Sequence, residues 1–304
     1  MSGTCAAGQL AGESGQAQEA VMARIAVVTD SAACVPAALK QALDIYEVPF
    51  ELNWDGVVYR DDEAFNPAVF YSRFRQTHTS HPTTSQPPLG AFASLYEQLR
   101  QSYDGIVSIH VSADLSGTLW TAQLAAEQVG GVPIRVIDSR TATIAEGFVV
   151  LAAARAAAAG AALEQVVAAA ERVRDRVDFF ATLKSLEHIH RGGRLGDAAR
   201  LLSSQLQISP ILNLRAGRVS VVCLARTWRS ALRQILELAV GRLQDRNGVH
   251  ASVFHADALA DAEWLRDQFL ARVACAEFYL TEFTPVMGAH TGPDVVGLAF
   301  YADD

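Results

Sequence analysis

Apolar and polar positions alternate in blocks along the chain. "RIAVVTDS" (24–31) is a short apolar run ending in Asp-Ser, and "VPAALKQAL" (35–43) then shows helical spacing. "IYEVPFEL" (45–52) predicts a strand. "NPAVFYSRFRQ" (66–76) predicts a helix with Asn66 as N-cap and Pro67 in its first turn. Helical spacing returns in "PLGAFASLYEQLRQ" (88–101) and "SGTLWTAQLAAEQ" (116–128), with strands "GIVSIHVS" (105–112) and "IRVIDS" (134–139) following each in turn. Strands separated by helices predict right-handed crossovers and a mostly parallel sheet. Past Gly160 the pattern changes. "LEQVVAAAERV" (163–173) places Leu163, Val166, Val167, Ala170 and Val173 on one helical face, and "DFFATL" (178–183) reads as a strand. "PILNLRAGRVSVVCLAR" (210–226) reads as a hairpin turning at "RAGR". Two long helical segments, 228–244 and 260–273, alternate with strands at 250–256, 277–283 and 295–301. The pattern predicts two domains: 24–162, an α/β/α unit on a mostly parallel sheet, and 163–304, an α+β unit on a largely antiparallel sheet.

Residues 1–23 stand apart. They are small and polar, without the basic start and apolar middle of a signal peptide, and read as a disordered tail. Met22 directly precedes the first strand and is an alternative to Met1 as the start of translation. Half of the chain is apolar, enough for a large core, and 33 acidic against 25 basic residues give a net charge of −8. That field disfavours nucleic acid and anionic membrane. No stretch of about 18 residues is uninterruptedly apolar, so no stable membrane insertion is expected. Cys5, Cys34, Cys223 and Cys275 are scattered without CxxC spacing, which fits a reducing cytoplasm.

Chemistry concentrates in four loops. "HPTTSQPPLGAF" (81–92) offers Thr83, Thr84, Ser85 and Gln86 before a helix start, either an anion site or a stiff turn capped by Ser85. "SADLSGTLWTAQ" (112–123) begins a helix at Ser116 and Gly117, where a ligand oxygen can approach backbone, although P-loop spacing and lysine are missing. "HIHRGGRLGD" (188–197) flanks two glycines with Arg191 and Arg194, suited to an oxyanion or merely solvated. His188 and His190 would share a side only on extended chain, and no metal site is expected there. "PVMGAHTGPDVVGLAF" (285–300) holds His290 in a loop of small residues, either a turn that carries a histidine or a space cleared for a ligand. The strand ends "VVTDS", "IHVS" and "VIDS" are helix caps or the ligand-facing edge of a parallel sheet.

Taken in order, "VTDSAACVP", "YRDD", "TTSQPP", "VSADLSGTLWTAQ", "VIDSRTATIAEG", "RGGRLG", "ISPILNLRAGRV", "ARTWRSAL" and "GAHTGPDVVGLAF" closely resemble the DegV family, the fatty-acid-binding subunits of bacterial fatty acid kinase. The resemblance runs from about Ile25 to Tyr301. It implies one long-chain fatty acid buried between two α/β domains. It also implies a partner, the ATP-binding subunit related to dihydroxyacetone kinase, which phosphorylates the acid to an acyl phosphate in phospholipid metabolism. Carried over, the carboxylate meets Thr84, Ser116, Gly117 and His290, with Ser85, Arg194 and Arg226 near the head group or the phosphoryl step. ATP and Mg²⁺ would belong to the kinase; this chain would hold no cofactor, no metal and no catalytic residue. Cys34 replaces an acidic residue often found before the Val-Pro step, and Asp294 stands where a small residue is common.

A fatty acid needs its tail buried, at about 0.8 kcal/mol per methylene, on the order of 10 kcal/mol for about 16 carbons before association costs. Its carboxylate needs hydrogen bonds. Two hydroxyls, one backbone N–H and an imidazole supply them without a bidentate arginine, which leaves an oxygen available to attack a phosphate. His290 would act as a neutral donor or as imidazolium. Two other readings remain open at this level: a phosphotransferase or hydrolase for a small polar substrate, although no GxSxG elbow is present, or a lipid-sensing regulator.

Overall fold

The computed structural model describes residues 23–303 except 63, 78–79, 197–198 and 200–207. Of the expected tail 1–23, residues 1–22, Met22 included, lie outside the described residues. The parallel sheet has the order β2-β1-β6-β7. It is built from β1 (Ile25–Asp30), β2 (Ile45–Val48), β6 (Gly105–His110) and β7 (Ile134–Asp138), all parallel. Helices α3 (Leu89–Leu99) and α4 (Thr118–Val129) cover one face; α5 (Thr143–Ala158) and α6 (Leu163–Arg174) cover the other. β1 is buried along its whole length because both faces are roofed.

The second sheet has the order β10-β9-β8-β13-β11-β12. Its strands are β8 (Asp178–Leu183), β9 (Ser209–Arg215), β10 (Arg218–Ala225), β11 (Val249–Ala256), β12 (Cys275–Glu282) and β13 (Val295–Ala302). Only β11 and β12 pair in parallel; the other neighbours are antiparallel. Helices α8 (Trp228–Leu243) and α9 (Leu259–Leu270) lie on its outer face. The other face turns toward α5 and the parallel sheet, and one apolar core runs across the junction from Val27 and Val107 to Ala181 and Leu212. The hairpin turns at Ala216 and Gly217, as "RAGR" predicts, and both have positive φ.

Two local expectations change. "IYEVPFEL" is two strands, because Pro49 has no N–H to continue the ladder. β2 ends at Val48, and β3 (Glu51–Trp54) leaves to join β4 (Val57–Arg60) and β5 (Thr83–Ser85) in a small antiparallel sheet. Ser85 therefore sits in a strand and does not cap α3; Pro88 occupies that N-cap position without a side-chain bond. Helix α2 (Pro67–Gln76) follows its prediction, with Asn66 Oδ1 accepting from the Ala68 N–H at 2.8 Å.

The strand-end aspartate Asp30 does cap, and it also fastens neighbouring loops. Oδ1 accepts from the Ala32 N–H at 3.0 Å in the 3₁₀ turn Ser31–Ala33, and Oδ2 accepts from the Val111 N–H at 3.1 Å. The same carboxylate meets His110 Nδ1 at 3.0 Å, and the chain continues through Ser108 to Tyr96 at 2.7 Å per step. All four side chains are buried, so this satisfied network holds the two loops in one geometry. No described helix is long and apolar enough to cross a membrane.

Candidate ligand-binding site

A cavity of about 380 Å³ opens where the carboxyl ends of β1 and β6 face the second sheet. That volume lies within the roughly 300–1,000 Å³ typical of small-molecule sites. Ala32, Val111 and Ala142 line it from the parallel-sheet side; Phe179, Ala181 and Leu212 line it from the other. The wall is mostly apolar; Thr84, Ser85, Gln86, Ser116, Gly117, Arg194 and His290 contribute polar groups, and Thr143, Asn213 and Thr291 also line it.

These groups arrive on separate elements. β5 carries Thr84. The short helix α10 (Pro285–Thr291) carries His290 in its last turn, so the histidine belongs to a helix started by Pro285 and not to a loop. Thr84 Oγ1 lies 2.7 Å from His290 Nε2. Ser116 Oγ meets Thr118 Oγ1 at 2.8 Å at the start of α4, with Gly117 as N-cap. Gln86 packs against Gly117 so closely that a Cβ there would stand 2.2 Å from its Oε1, and its Nε2 donates to Thr121 at 2.6 Å. Gln86 thus brings the first loop onto the second. Ser85 lines the cavity while its hydroxyl donates to Glu51 at 3.3 Å.

Arg194 donates through Nε to the Leu115 carbonyl at 3.1 Å and through Nη1 to the Gly192 carbonyl. It ties the glycine loop to the Ser116 loop and leaves positive charge beside His290. Burial, followed by the Arg194 charge, pulls the imidazole pKa down to about 4. In the ligand-free site His290 is therefore neutral near pH 7, and the imidazolium role expected from sequence requires an anion to arrive first. Arg226 does not line the cavity. It is exposed just past Ala225, at the far end of β10 from the turn whose Gly217 N–H reaches the Arg140 carbonyl at 2.8 Å.

His188 belongs to helix α7 (Glu187–Arg191), where positions i and i+2 face apart, so it and His190 are not paired as an extended chain would pair them. Its ring packs edge-on against Phe74 at 5.1 Å. α7 and α10 meet through reciprocal seats. A Cβ on Gly192 would stand 2.8 Å from His290 Nδ1, and one on Gly292 would stand 2.4 Å from His188 Cδ2. The sequence signals for these seats are Gly192 in "RGGR", four residues after His188, and Gly292 in "AHTG", two residues after His290. Gly192 has an ordinary helical φ of −70°. Gly192→Ala is therefore expected to fold normally but to push the embedded ring off Thr84; ring-nitrogen chemical shifts of His290 would report loss of that bond.

Two sequence departures are also placed. Asp294 pairs with Lys184 at 3.0 Å and Arg75 at 3.2 Å and does not line the cavity. Burial works against its charge, but Arg75 and Lys184 prevail and hold its pKa below the ordinary value. Cys34 is buried in the left-handed region, φ 48°, and burial pushes its thiol far up.

Comparisons with known proteins agree with this architecture. The model of the DegV family, described as one of uncharacterised proteins, matches residues 24–303. Protein DegV of Bacillus subtilis is 32% identical over 277 residues, 91% of this chain and 98% of that protein. A DegV domain-containing protein of Listeria monocytogenes is 34% identical over 278 residues, again 91% and 98%. Among solved structures, a DegV family protein from Thermus thermophilus described for its fatty acid binding superposes with a TM-score of 0.86 at 32% identity, covering 92% of this chain and 99% of that one. DegV from B. subtilis, described as a fatty acid binding protein, gives 0.86 at 31% identity, covering 92% and 100%.

Proposed function

This chain belongs to the DegV family, and on that premise we propose that it binds one long-chain fatty acid and presents the carboxylate to a partner kinase. The observation that carries the reading is the character of the cavity: a mostly apolar chamber into which the Thr84 hydroxyl and the His290 imidazole, 2.7 Å apart, both open. A bound carboxylate would take the place between Thr84, Ser116, the Gly117 N–H and His290. Hydrogen bonds to a charged group contribute about 1.5–3 kcal/mol each, and they offset the cost of removing the anion from water. Neutral His290 donates from one ring nitrogen, and the anion beside it raises its proton affinity. As phosphate charge develops, that shift draws imidazolium character into the site.

The family resemblance supports the second half of the reading, a dihydroxyacetone-kinase-like subunit that brings ATP and Mg²⁺ and performs the transfer. On this view the chain does not turn over alone. Its work is to desolvate the tail, fix the carboxylate and leave one oxygen reachable. The described thiols, Cys34, Cys223 and Cys275, are free, in keeping with work in a reducing cytoplasm.

Organic extraction of protein purified from a bacterial host, followed by mass spectrometry, is expected to release one equivalent of a long-chain acid. Protein that carries none, and takes up none when offered palmitate, would reject the reading. Acid bound without any acyl phosphate on adding a fatty acid kinase would leave a lipid sensor in place of a presenting subunit.

A further inference from the structure

Asp61, in the "YRDD" stretch, lies behind the cavity wall and does not line the cavity itself. It is 3% exposed. Its N–H donates to the Phe50 carbonyl at 2.9 Å, and the Phe50 N–H donates to Ser31 Oγ at 3.2 Å. Its Oδ1 accepts from the Val286 N–H at 3.2 Å, across 225 positions of sequence. Val286 is in the first turn of α10, whose own N-cap residue, Thr284, makes no side-chain cap bond. Asp61 therefore caps the helix from the other half of the chain. α10 contributes Val286, Met287, His290 and Thr291 to the cavity. One end is held by Asp61 and the other by Thr84.

A second observation concerns the other oxygen. Asp61 Oδ2 and Thr284 Oγ1 are both buried without a well-formed hydrogen bond. The hydroxyls of Ser31 and Thr284 stand near the carboxyl and favour its charge, while Glu47 opposes it. The Cys34 thiol and Tyr71 phenol feel the same charge from their own sides. Burial outweighs the donors and carries the Asp61 pKa up to about 7.

We propose that Asp61 is the positioning residue of the head-group site: it sets where α10 and His290 sit, and its protonation favours binding of an anionic ligand. The proposal rests on the fatty-acid reading above. An ionised Asp61 places uncompensated negative charge behind a site that must receive another anion. Ligand binding is then linked to proton uptake. The sign follows from the raised value. The contribution of Asp61 to stability is full below the ordinary carboxyl value of 3.8, falls as pH rises above it, and is gone once pH passes about 7.

The test measures palmitate affinity and thermal stability of the full chain at about pH 6 and about pH 8, either side of the Asp61 titration. In the wild type the Kd is expected to rise roughly three- to tenfold over this range. Asp61→Asn keeps an acceptor for Val286 and has no proton to exchange, so its Kd should rise clearly less than that of the wild type, by no more than His290 contributes, and stay near the wild-type acidic value. Thr284→Val removes a donor to the ionised form and should move the wild-type midpoint upward. A wild-type slope retained in Asp61→Asn, or an unmoved midpoint in Thr284→Val, overturns the proposal. Palmitate bound equally well at both pH values by the wild type also overturns it and leaves the fatty-acid reading intact; no uptake at any pH overturns that reading itself.

Discussion

A chain carrying Ser116→Ala together with His290→Ala is expected to lose at least about a hundredfold in kinase-dependent acyl phosphate formation. Each substitution removes a hydrogen bond to a buried carboxylate, about 1.5–3 kcal/mol apiece, and roughly 3 kcal/mol already corresponds to a hundredfold. The fold should tolerate both. Ser116 bonds locally to Thr118 at the start of α4, and His290 is the penultimate residue of a seven-residue helix held at its other end by Asp61. A fall in activity with a melting temperature within a few degrees of wild type would separate a ligand role from a structural one. Thr84→Val refines the result, because valine keeps the shape and removes only the hydroxyl 2.7 Å from the imidazole. It should weaken binding less than the pair, since Ser116 and the Gly117 N–H remain. Unchanged acyl phosphate formation in the double variant would reject the assigned ligands.

The layers of the fold are legible in the sequence wherever periodicity runs long enough. β1, α2, α6 and the hairpin at Ala216 and Gly217 follow from apolar spacing, an Asn-Pro start and a turn pair. Short elements are not legible. Thr83–Ser85 is three residues of strand, too few to show alternation, and its pairing with Glu51–Asn53 is decided by tertiary contact. Pro285–Thr291 is a helix containing Gly288, which propensity opposes. Gly288 is needed there because a Cβ would stand 2.6 Å from the Tyr71 hydroxyl.

The candidate site shows the same division. Thr84, Ser116, Gly117 and His290 stand out as polar or backbone-special residues in loops, and family resemblance groups them. Asp61 and Gln86 fall within motifs that carry the family resemblance, but they act by what they hold, and their sequence context alone does not show that role. The cavity itself is illegible. Ala181 and Leu212 are the same residue types whether a neighbour fills the space beside them or leaves it open. Arg226, a conspicuous charge in a resembling motif, lies past the end of its strand and does not line the cavity.

Gly292→Ala is expected to be the most damaging small substitution near the site. Gly292 ends α10 with φ 70° and ψ −177°, a region that is essentially glycine-only and costs other residues about 1–3 kcal/mol. The added Cβ would also meet the His188 ring at 2.4 Å. That ring cannot retreat freely, because Phe74 stands edge-on at 5.1 Å. Backbone strain and steric conflict together should cost roughly 3 kcal/mol, lowering the melting temperature by roughly 5–10 °C. Displacing His188 moves α7, and α7 carries the Gly192 seat on which His290 rests, so ligand affinity should fall with stability. Gly192→Ala is the contrasting case: its backbone is unstrained, and the conflict falls on the His290 ring alone. Thermal unfolding and palmitate titration of the two variants side by side should therefore give loss of both quantities for Gly292→Ala and loss of affinity alone for Gly192→Ala. A Gly292→Ala protein with wild-type melting would mean that α7 and α10 do not meet through these glycines, and the coupling between the "RGGR" loop and the head-group histidine would have to be abandoned.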